Sequence, residues 1–222
     1  MDLINITVSE SLKKAAPEYK GIALLAKVEN TKESAGLWER IEQLEEEIRS
    51  TYALNEINKR KEILATRQAY KALGKDPNRY RPSAEALCRR VLKDMPLYRI
   101  SVLVDLINYI SIKYGYSIGG FDADQVIGDL ELGVGNNGEI FHAIGRGELN
   151  IEGLPVFRDQ VGPIGTPTSD EERTMLRDET TSLLMIVNGY DGGEKLDSCI
   201  NETIMLLKQF ARLKSFQVIP VL

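Results

Sequence analysis

Cysteine and histidine are scarce in this sequence, and each scarcity excludes a class of protein. The 222 residues include two cysteines, Cys88 and Cys199, too far apart for a CxxC metal site and too few for a disulfide framework. A single histidine, His142, excludes a histidine-rich zinc site and must serve any Ser-His-Asp or Cys-His device. We therefore expect no metal, no cofactor and a reducing compartment such as the cytoplasm.

Long hydrophobic runs and an excess of positive charge are lacking as well. No segment reaches the roughly 18 apolar residues of a membrane-spanning helix, and the first residues have no basic segment followed by an apolar run. The formal net charge is -5 at pH 7, so a contact with nucleic acid requires a local basic patch. These features predict a cytoplasmic protein without a membrane partner, and they leave its oligomeric state open.

Helical periodicity is present in five segments. Residues 37, 41, 44 and 48 form one apolar stripe, with residues 45–47 on a solvated acidic face. Further helices are expected over residues 55–73, from an N-cap at Ser83 to Pro96, over 102–113, and along the stripe from Leu196 to Ala211.

Strand patterns occupy both ends of the chain and most of the part after residue 118. Residues 3–8, 21–28, 182–187 and 216–222 predict strands, the second and third buried on both faces. Shorter strands are expected at 129–134, 139–144 and 154–158, with Asn137-Gly138 as a hairpin turn. Helices and strands mix without regular alternation, which predicts an α+β fold in one domain, 1–222. Its N-terminal α/β part covers about 1–75.

The side chains of Cys88 and His142 each have a structural and a functional interpretation. Cys88 belongs to the apolar stripe of its helix, which favours a packed core thiol over a nucleophile. His142 lies in a short strand with no partner motif such as GxSxG, so a surface strand position is favoured over catalysis.

Glycines and hydroxyls mark two candidate binding segments. Gly145-Arg146-Gly147 is either a turn or a clamp in which the arginine holds a phosphate or carboxylate. Residues 162–174 combine two prolines, two glycines and four hydroxyls with Asp170 and Arg173. This segment is a candidate binding loop, or a turn in which Ser169 or Asp170 caps a short helix.

One region of the acidic chain is cationic and carries aromatic residues. It runs from Lys71 to Pro82 and continues in Arg89, Arg90 and Lys93. The alternatives are a solvated linker with a helix face and a nucleic-acid contact made through Arg79, Arg81, Arg89 and Arg90.

Four segments in order resemble the B3/B4 domain of the phenylalanyl-tRNA synthetase β subunit, and its stand-alone bacterial relatives. They are residues 76–83 (DPNRYRPS), 104–109 (VDLINY), 119–122 (GGFD) and 162–174 leading into Thr180-Thr181. The resemblance covers about 67–210 and implies a B3/B4-like fold, a mixed or antiparallel sheet with packed helices. In the synthetase this domain hydrolyses tyrosine wrongly attached to the phenylalanine tRNA. The resemblance thus implies a pocket for an amino acid esterified to a terminal ribose.

The chain departs from the synthetase pattern at three positions. Ile107 stands where a Thr precedes the Asn-Tyr pair, Gly119 stands at a His, and Pro167 stands where the editing glutamate follows a Gly-Gly pair. If hydrolysis survives, residues of the 162–174 loop must replace those groups. Asp170 is the candidate for a base that positions water.

The expected function is binding of an aminoacyl-tRNA 3′ end or a related amino-acid ligand, with hydrolysis of mischarged tRNA in trans as an open question. The alternative is a non-catalytic RNA- or protein-interaction module, and aminoacylation by this chain alone is not expected. The candidate catalytic residue is Asp170. The candidate substrate-binding residues are Asn108, Gly119, Gly120, Arg146, Gly147, Gly165, Thr166, Thr168, Ser169, Arg173 and Thr174.

Overall fold

The computed structural model describes residues 4–222, which form six α-helices and ten β-strands. The helices are α1 (Glu10–Ala15), α2 (Ala35–Thr51), α3 (Lys61–Ala72), α4 (Ser83–Val91), α5 (Val102–Tyr114) and α6 (Leu196–Phe210). The strands are β1 (Ile6–Val8), β2 (Lys20–Lys27), β3 (Ser117–Asp122), β4 (Leu130–Val134), β5 (His142–Ala143), β6 (Gly147–Glu148), β7 (Pro155–Arg158), β8 (Pro163–Gly165), β9 (Ser182–Gly189) and β10 (Ser215–Val221). The fold is α+β, as the sequence predicts.

Two four-stranded sheets and a layer of helices stack around the cores. The central sheet has the order β10-β2-β9-β3 and is antiparallel throughout. The second sheet has the order β1-β4-β7-β8, with β1 and β4 parallel and the remaining pairs antiparallel. A small hairpin, β5-β6, stands apart from both sheets.

The inner position of β9 in the central sheet explains its apolar run from Leu183 to Val187. Every residue of this strand is buried. Alternate side chains point to opposite faces, so Leu183, Met185 and Val187 pack against the helices. Leu184 and Ile186 pack against the second sheet. A strand covered on both faces needs apolar residues at every position.

The apolar stripes predict most of the helices correctly. The helix predicted over 102–113 is α5, and it ends at Gly115, which adopts the left-handed conformation with φ 80°. Cys88 lies in the buried face of α4, and burial raises the pKa of its thiol to about 11. No helix among residues 4–222 has the length and apolar character needed to cross a membrane.

Several local predictions are wrong, and each has a physical reason. A short helix, α1, lies between β1 and β2, where the sequence predicts no helix; it is capped by Ser9, whose side chain accepts from the Leu12 N–H. The helix predicted over 55–73 is broken at Arg60, which has extended ψ and separates a 3-10 turn from α3. Leu3, the predicted start of the first strand, lies outside the described residues.

Charge and turn predictions also need correction. Glu45 is buried beside Arg49, with which it pairs at 2.9 Å, although its neighbours in the acidic run are exposed. Ser83 makes no side-chain cap; it is the first residue of α4, and its N–H donates to the Pro167 carbonyl. Asn137-Gly138 does not join adjacent strands, because β4 pairs with β1 and β7 while β5 pairs with β6.

Candidate functional site

A cavity of about 420 Å³ lies between α4, α5 and the outer edge of β3. Its walls are mainly aliphatic. Helix α5 supplies Val104 and Ile107, β3 supplies Ile118, and the adjoining loops supply Ile144, Met175 and Leu176. Ser83, Asn108, Ser111, Asp170 and the backbone of Gly120 provide the polar surface. An apolar pocket with a few polar groups is the usual form of a small-ligand site.

Asp170 is the acidic side chain of this cavity. The Gly120 N–H donates to its Oδ2 across 3.1 Å. Burial raises the pKa of the Asp170 carboxyl from the ordinary value to about 7, and the hydrogen bond from Gly120 offsets part of that rise. No charged group among residues 4–222 contributes to the shift, so the carboxylate form lacks a cationic partner in the described part of the chain.

Gly119, Gly120 and Gly165, three of the predicted site residues, lie near Asp170, and a Cβ at each would meet a neighbouring side chain. A Cβ at Gly165 would lie 2.8 Å from Asp170 Oδ1 and 2.6 Å from Phe121 Cζ, and one at Gly119 would meet the same ring at 2.6 Å. These two glycines make room for the Phe121 ring and the carboxyl group. Gly120 lines the cavity, where a Cβ would lie 2.5 Å from Ile107 Cδ1.

The hydroxyls of the 162–174 loop hold the loop itself. Thr166 Oγ1 accepts from the N–H groups of Thr168 and Ser169 at 3.1 and 3.0 Å. Thr168 Oγ1 is 2.8 Å from the Tyr70 hydroxyl. Thr174 is fully buried. The structure does not place these side chains along the cavity.

Arg173 and the helical turn also differ from the expected arrangement. The Arg173 guanidinium donates to both Asp159 oxygens at 2.8 and 3.0 Å, and to the Gln125 carbonyl. It therefore fixes the loop from outside the cavity. The turn at residues 172–174 is capped by Glu171, whose side chain accepts from the Arg173 N–H at 2.6 Å, rather than by Ser169 or Asp170.

A basic groove of about 720 Å³ adjoins the cavity and shares Leu87, Ile100 and Ile144 with it. No acidic side chain lines the groove within the described part of the chain. Its cations are Arg81, Arg89, Arg90, Lys93 and Arg146. The arginines come from α4 and the loop before it, whereas Arg146 comes from the tip of the β5-β6 hairpin, far away in sequence.

An exposed aromatic ring stands in the same groove. Tyr98 is 65% exposed, and the Arg90 guanidinium lies 4.0 Å from its ring centroid. Met95 and Ile100 are exposed beside it. Sequence reasoning missed this segment, although three large apolar residues within residues 95–100, shortly after the arginine pair at 89–90, were a usable signal.

The groove is supported from below by a buried carboxylate. Glu85 pairs with Arg67 at 2.8 Å and Arg89 at 2.7 Å, and lies 3.5 Å from Arg81. Arg67 also donates to Asn78 and to the Pro77 carbonyl. Three guanidinium groups share one carboxylate, so the cluster keeps an excess of positive charge.

The remaining candidates lie outside the cavity. Arg79 does not line the groove; its guanidinium lies 5.5 Å from the Tyr80 ring centroid. Gly145 and Gly147 have φ of 67° and 72° with open space around them, so the turn conformation explains both glycines. His142 is exposed and stands 3.9 Å from Glu171.

Comparisons with known proteins identify the fold and the family of the chain. No curated protein compared with the chain matches it. Among solved structures, the chain is similar to an N-terminal fragment of the phenylalanyl-tRNA synthetase beta-subunit from Pyrococcus horikoshii, at 14% identity and a TM-score of 0.54. That match covers 98% of this chain and 51% of the other, so the chain spans about half the length of its structural relative. At this identity the likeness shows the fold.

A family model gives the assignment. The model described as the B3/4 domain matches residues 65–202, well over half of the chain. The matched range contains α4, α5, β3 and the 162–174 loop, which together build the cavity and the groove. The chain therefore belongs to the B3/4 domain family.

Proposed function

We propose that this protein binds the 3′ end of an aminoacyl-tRNA. The amino acid enters the aliphatic cavity and the terminal nucleotides follow the basic groove. The observation that carries the proposal is the continuity of the two spaces, which share Leu87, Ile100 and Ile144 but differ in chemistry. An aminoacyl-tRNA end has the same division, with a small amino acid attached to a polyanion.

The groove suits a single-stranded nucleic acid. Arg90 and Arg146 have no carboxylate within ion-pairing distance among the described residues, so both are available to phosphates. Tyr98 offers an exposed face on which a base can stack. Cationic grooves with aromatic platforms are the common means of binding unpaired nucleotides.

The family assignment supports the same ligand. The solved relative is a fragment of a tRNA synthetase subunit, and the fold of that fragment is the fold of this chain. A tRNA ligand also agrees with the cytoplasmic location expected from the sequence.

Ester hydrolysis is a second candidate function, favoured by the state of Asp170. A carboxyl group with a pKa of about 7 is partly ionised at neutral pH and can accept a proton from water. The hydroxide so formed would add to the ester carbonyl. The ester C–O bond would then break, and the proton would pass from Asp170 to the departing ribose oxygen.

Purified protein and a panel of aminoacyl-tRNAs with different amino acids test both candidates. Binding is measured against the same tRNAs without the amino acid, and free amino acid is measured over time against buffer. Tighter binding of the charged forms supports the proposal, and release above buffer adds the hydrolytic function. Equal affinity for charged and uncharged tRNA would contradict the proposal and favour an RNA- or protein-interaction module.

A further inference from the structure

We infer that the cavity takes a ligand with a protonated primary amine on a compact aliphatic body, and that Asp170 is the partner of the ammonium group. This deepens the proposed function and rests on it, because it uses the same cavity and names the chemical class of the bound end. It makes Asp170 a recognition residue, which removes the base that the hydrolytic candidate requires.

The two oxygens of the Asp170 carboxylate differ in their hydrogen bonding. Asp170 Oδ2 receives the Gly120 N–H, whereas no described residue donates to Oδ1. Carboxylates in apolar surroundings are normally paired with a cation or held by several hydrogen bonds. Asp159 shows the paired form in this molecule, with three backbone N–H groups and the Arg173 guanidinium on its two oxygens.

The other side chains that line the cavity around Asp170 are uncharged. The elements packed around Asp170 present no other titratable side chain to the cavity in the described part of the chain. The side chains that α4 and α5 present are aliphatic or are Ser83, Asn108 and Ser111, and the Ser111 hydroxyl donates to the Tyr116 carbonyl. The arginines and Lys93 of α4 and its flanking loops, together with Arg146, line the groove instead. Glu171, the next residue in the chain, caps its own turn.

The apolar wall of the cavity is aliphatic and not aromatic. Val104, Ile107, Ile118 and Leu176 are aliphatic, and no aromatic ring lines the cavity in the described part of the chain. Aliphatic walls offer no ring face for cation–π contact, so the charge of a cationic ligand must be met at Asp170. The body of the ligand then contributes by burying apolar surface.

The pH dependence of binding follows from this pairing, and its sign is diagnostic. An alkylammonium ion binds the ionised carboxylate, so its affinity falls about tenfold per pH unit below the pKa of about 7 and levels off above it. A ligand carbonyl bound by the protonated carboxyl would show the opposite trend, with affinity lost as the pH rises.

A matched pair of small probes tests the inference without RNA. Binding of 3-methylbutylamine and of 3-methylbutan-1-ol is measured by amide chemical-shift titration, from about pH 5.5 to 8.5, where a primary amine stays protonated. We expect the amine to bind at least about tenfold more tightly than the alcohol at pH 8. Equal affinities, or amine affinity that rises as the pH falls, would overturn the inference even if no variant folds.

Two variants localise the effect. Asp170→Asn should remove the advantage of the amine and its pH dependence, whereas Asp178→Asn, the same change at an exposed site eight residues later, should leave both intact. Amine binding unchanged in Asp170→Asn would overturn the inference. A short RNA without an attached amino acid is titrated separately against the wild-type protein. If the protein binds the amine but not this RNA, the result contradicts the proposed function and leaves the inference standing.

Discussion

The Gly120 N–H donates a 3.1 Å hydrogen bond to the Asp170 carboxyl group. Gly120 belongs to β3, which is an edge strand of the central sheet, so this bond joins the outer edge of that sheet to the 162–174 loop. The same carboxyl faces the aliphatic cavity. A structural contact and a candidate ligand contact therefore use the same carboxyl group.

Protein stability should fall as Asp170 ionises. In the unfolded chain this carboxyl ionises near pH 4, whereas in the folded protein its pKa is about 7. Stability is therefore greatest at low pH with respect to this group, decreases between about pH 4 and 7, and then levels off. The full effect is up to about 4 kcal/mol, reduced by water that screens the charge.

Urea unfolding of the wild type and Asp170→Asn across this pH range measures the effect. The amide cannot ionise, so the variant should gain stability relative to the wild type as the pH rises. A difference between the two proteins that stays constant from pH 4 to 8 would contradict the stated environment of Asp170.

Gly120→Ala should weaken ligand affinity strongly and lower the free energy of unfolding only modestly. The new Cβ would lie 2.5 Å from Ile107 Cδ1, and the flexible end of Ile107 must turn away, which changes the cavity. We expect a stability loss of about 1 kcal/mol from overpacking. The double variant Gly120→Ala/Ile107→Val removes the contact and should recover part of the binding; no recovery would show that the Cβ acts on something other than Ile107.

Groove arginines should contribute to RNA affinity through salt-dependent contacts. Arg90→Gln and Arg146→Gln should each weaken binding of a single-stranded RNA and lower the slope of log affinity against log salt by about 0.7. Arg79→Gln is the matched control, since Arg79 lies in the same basic stretch but outside the groove. If Arg79→Gln weakens binding as much as the other two changes, net charge and not the groove accounts for binding.

Glu85→Gln should be strongly destabilising. The buried carboxylate holds Arg67, whose side chain is 9% exposed, together with Arg81 and Arg89. Removing one partner of a buried charge cluster costs about 3–5 kcal/mol. Glu46→Gln, on the exposed face of α2, should cost less than about 0.5 kcal/mol. Similar unfolding free energies for the two variants would contradict the structural role of Glu85.

Segments with strong periodicity were predictable from the sequence. Helix α5 and strand β9 follow from their apolar patterns, because burial on one stripe or on both faces is a local requirement. Asn108, Gly120 and Asp170 line one cavity, whereas Gly119 and Arg146 do not line it. Their roles in ligand binding remain predictions.

Long-range pairing explains most of what the sequence did not reveal. Arg173 is paired with Asp159, and the buried Glu85 is paired with Arg67, which lies 18 residues earlier in the chain. Neither contact leaves a periodic signal. The groove likewise depends on the tip of the β5-β6 hairpin lying beside α4, which no local pattern around Arg146 indicates.

The cavity and the groove are proposed to hold the two parts of one ligand. Binding of a short RNA that ends in a 3′-aminoacyl amide of an aliphatic amino acid, compared with the same RNA lacking the amino acid, tests this directly. We predict that the amino acid tightens binding at least about tenfold, that Asp170→Asn reduces this gain, and that Arg146→Gln weakens both RNAs equally. Equal affinity of the two RNAs for the wild-type protein would contradict the claim.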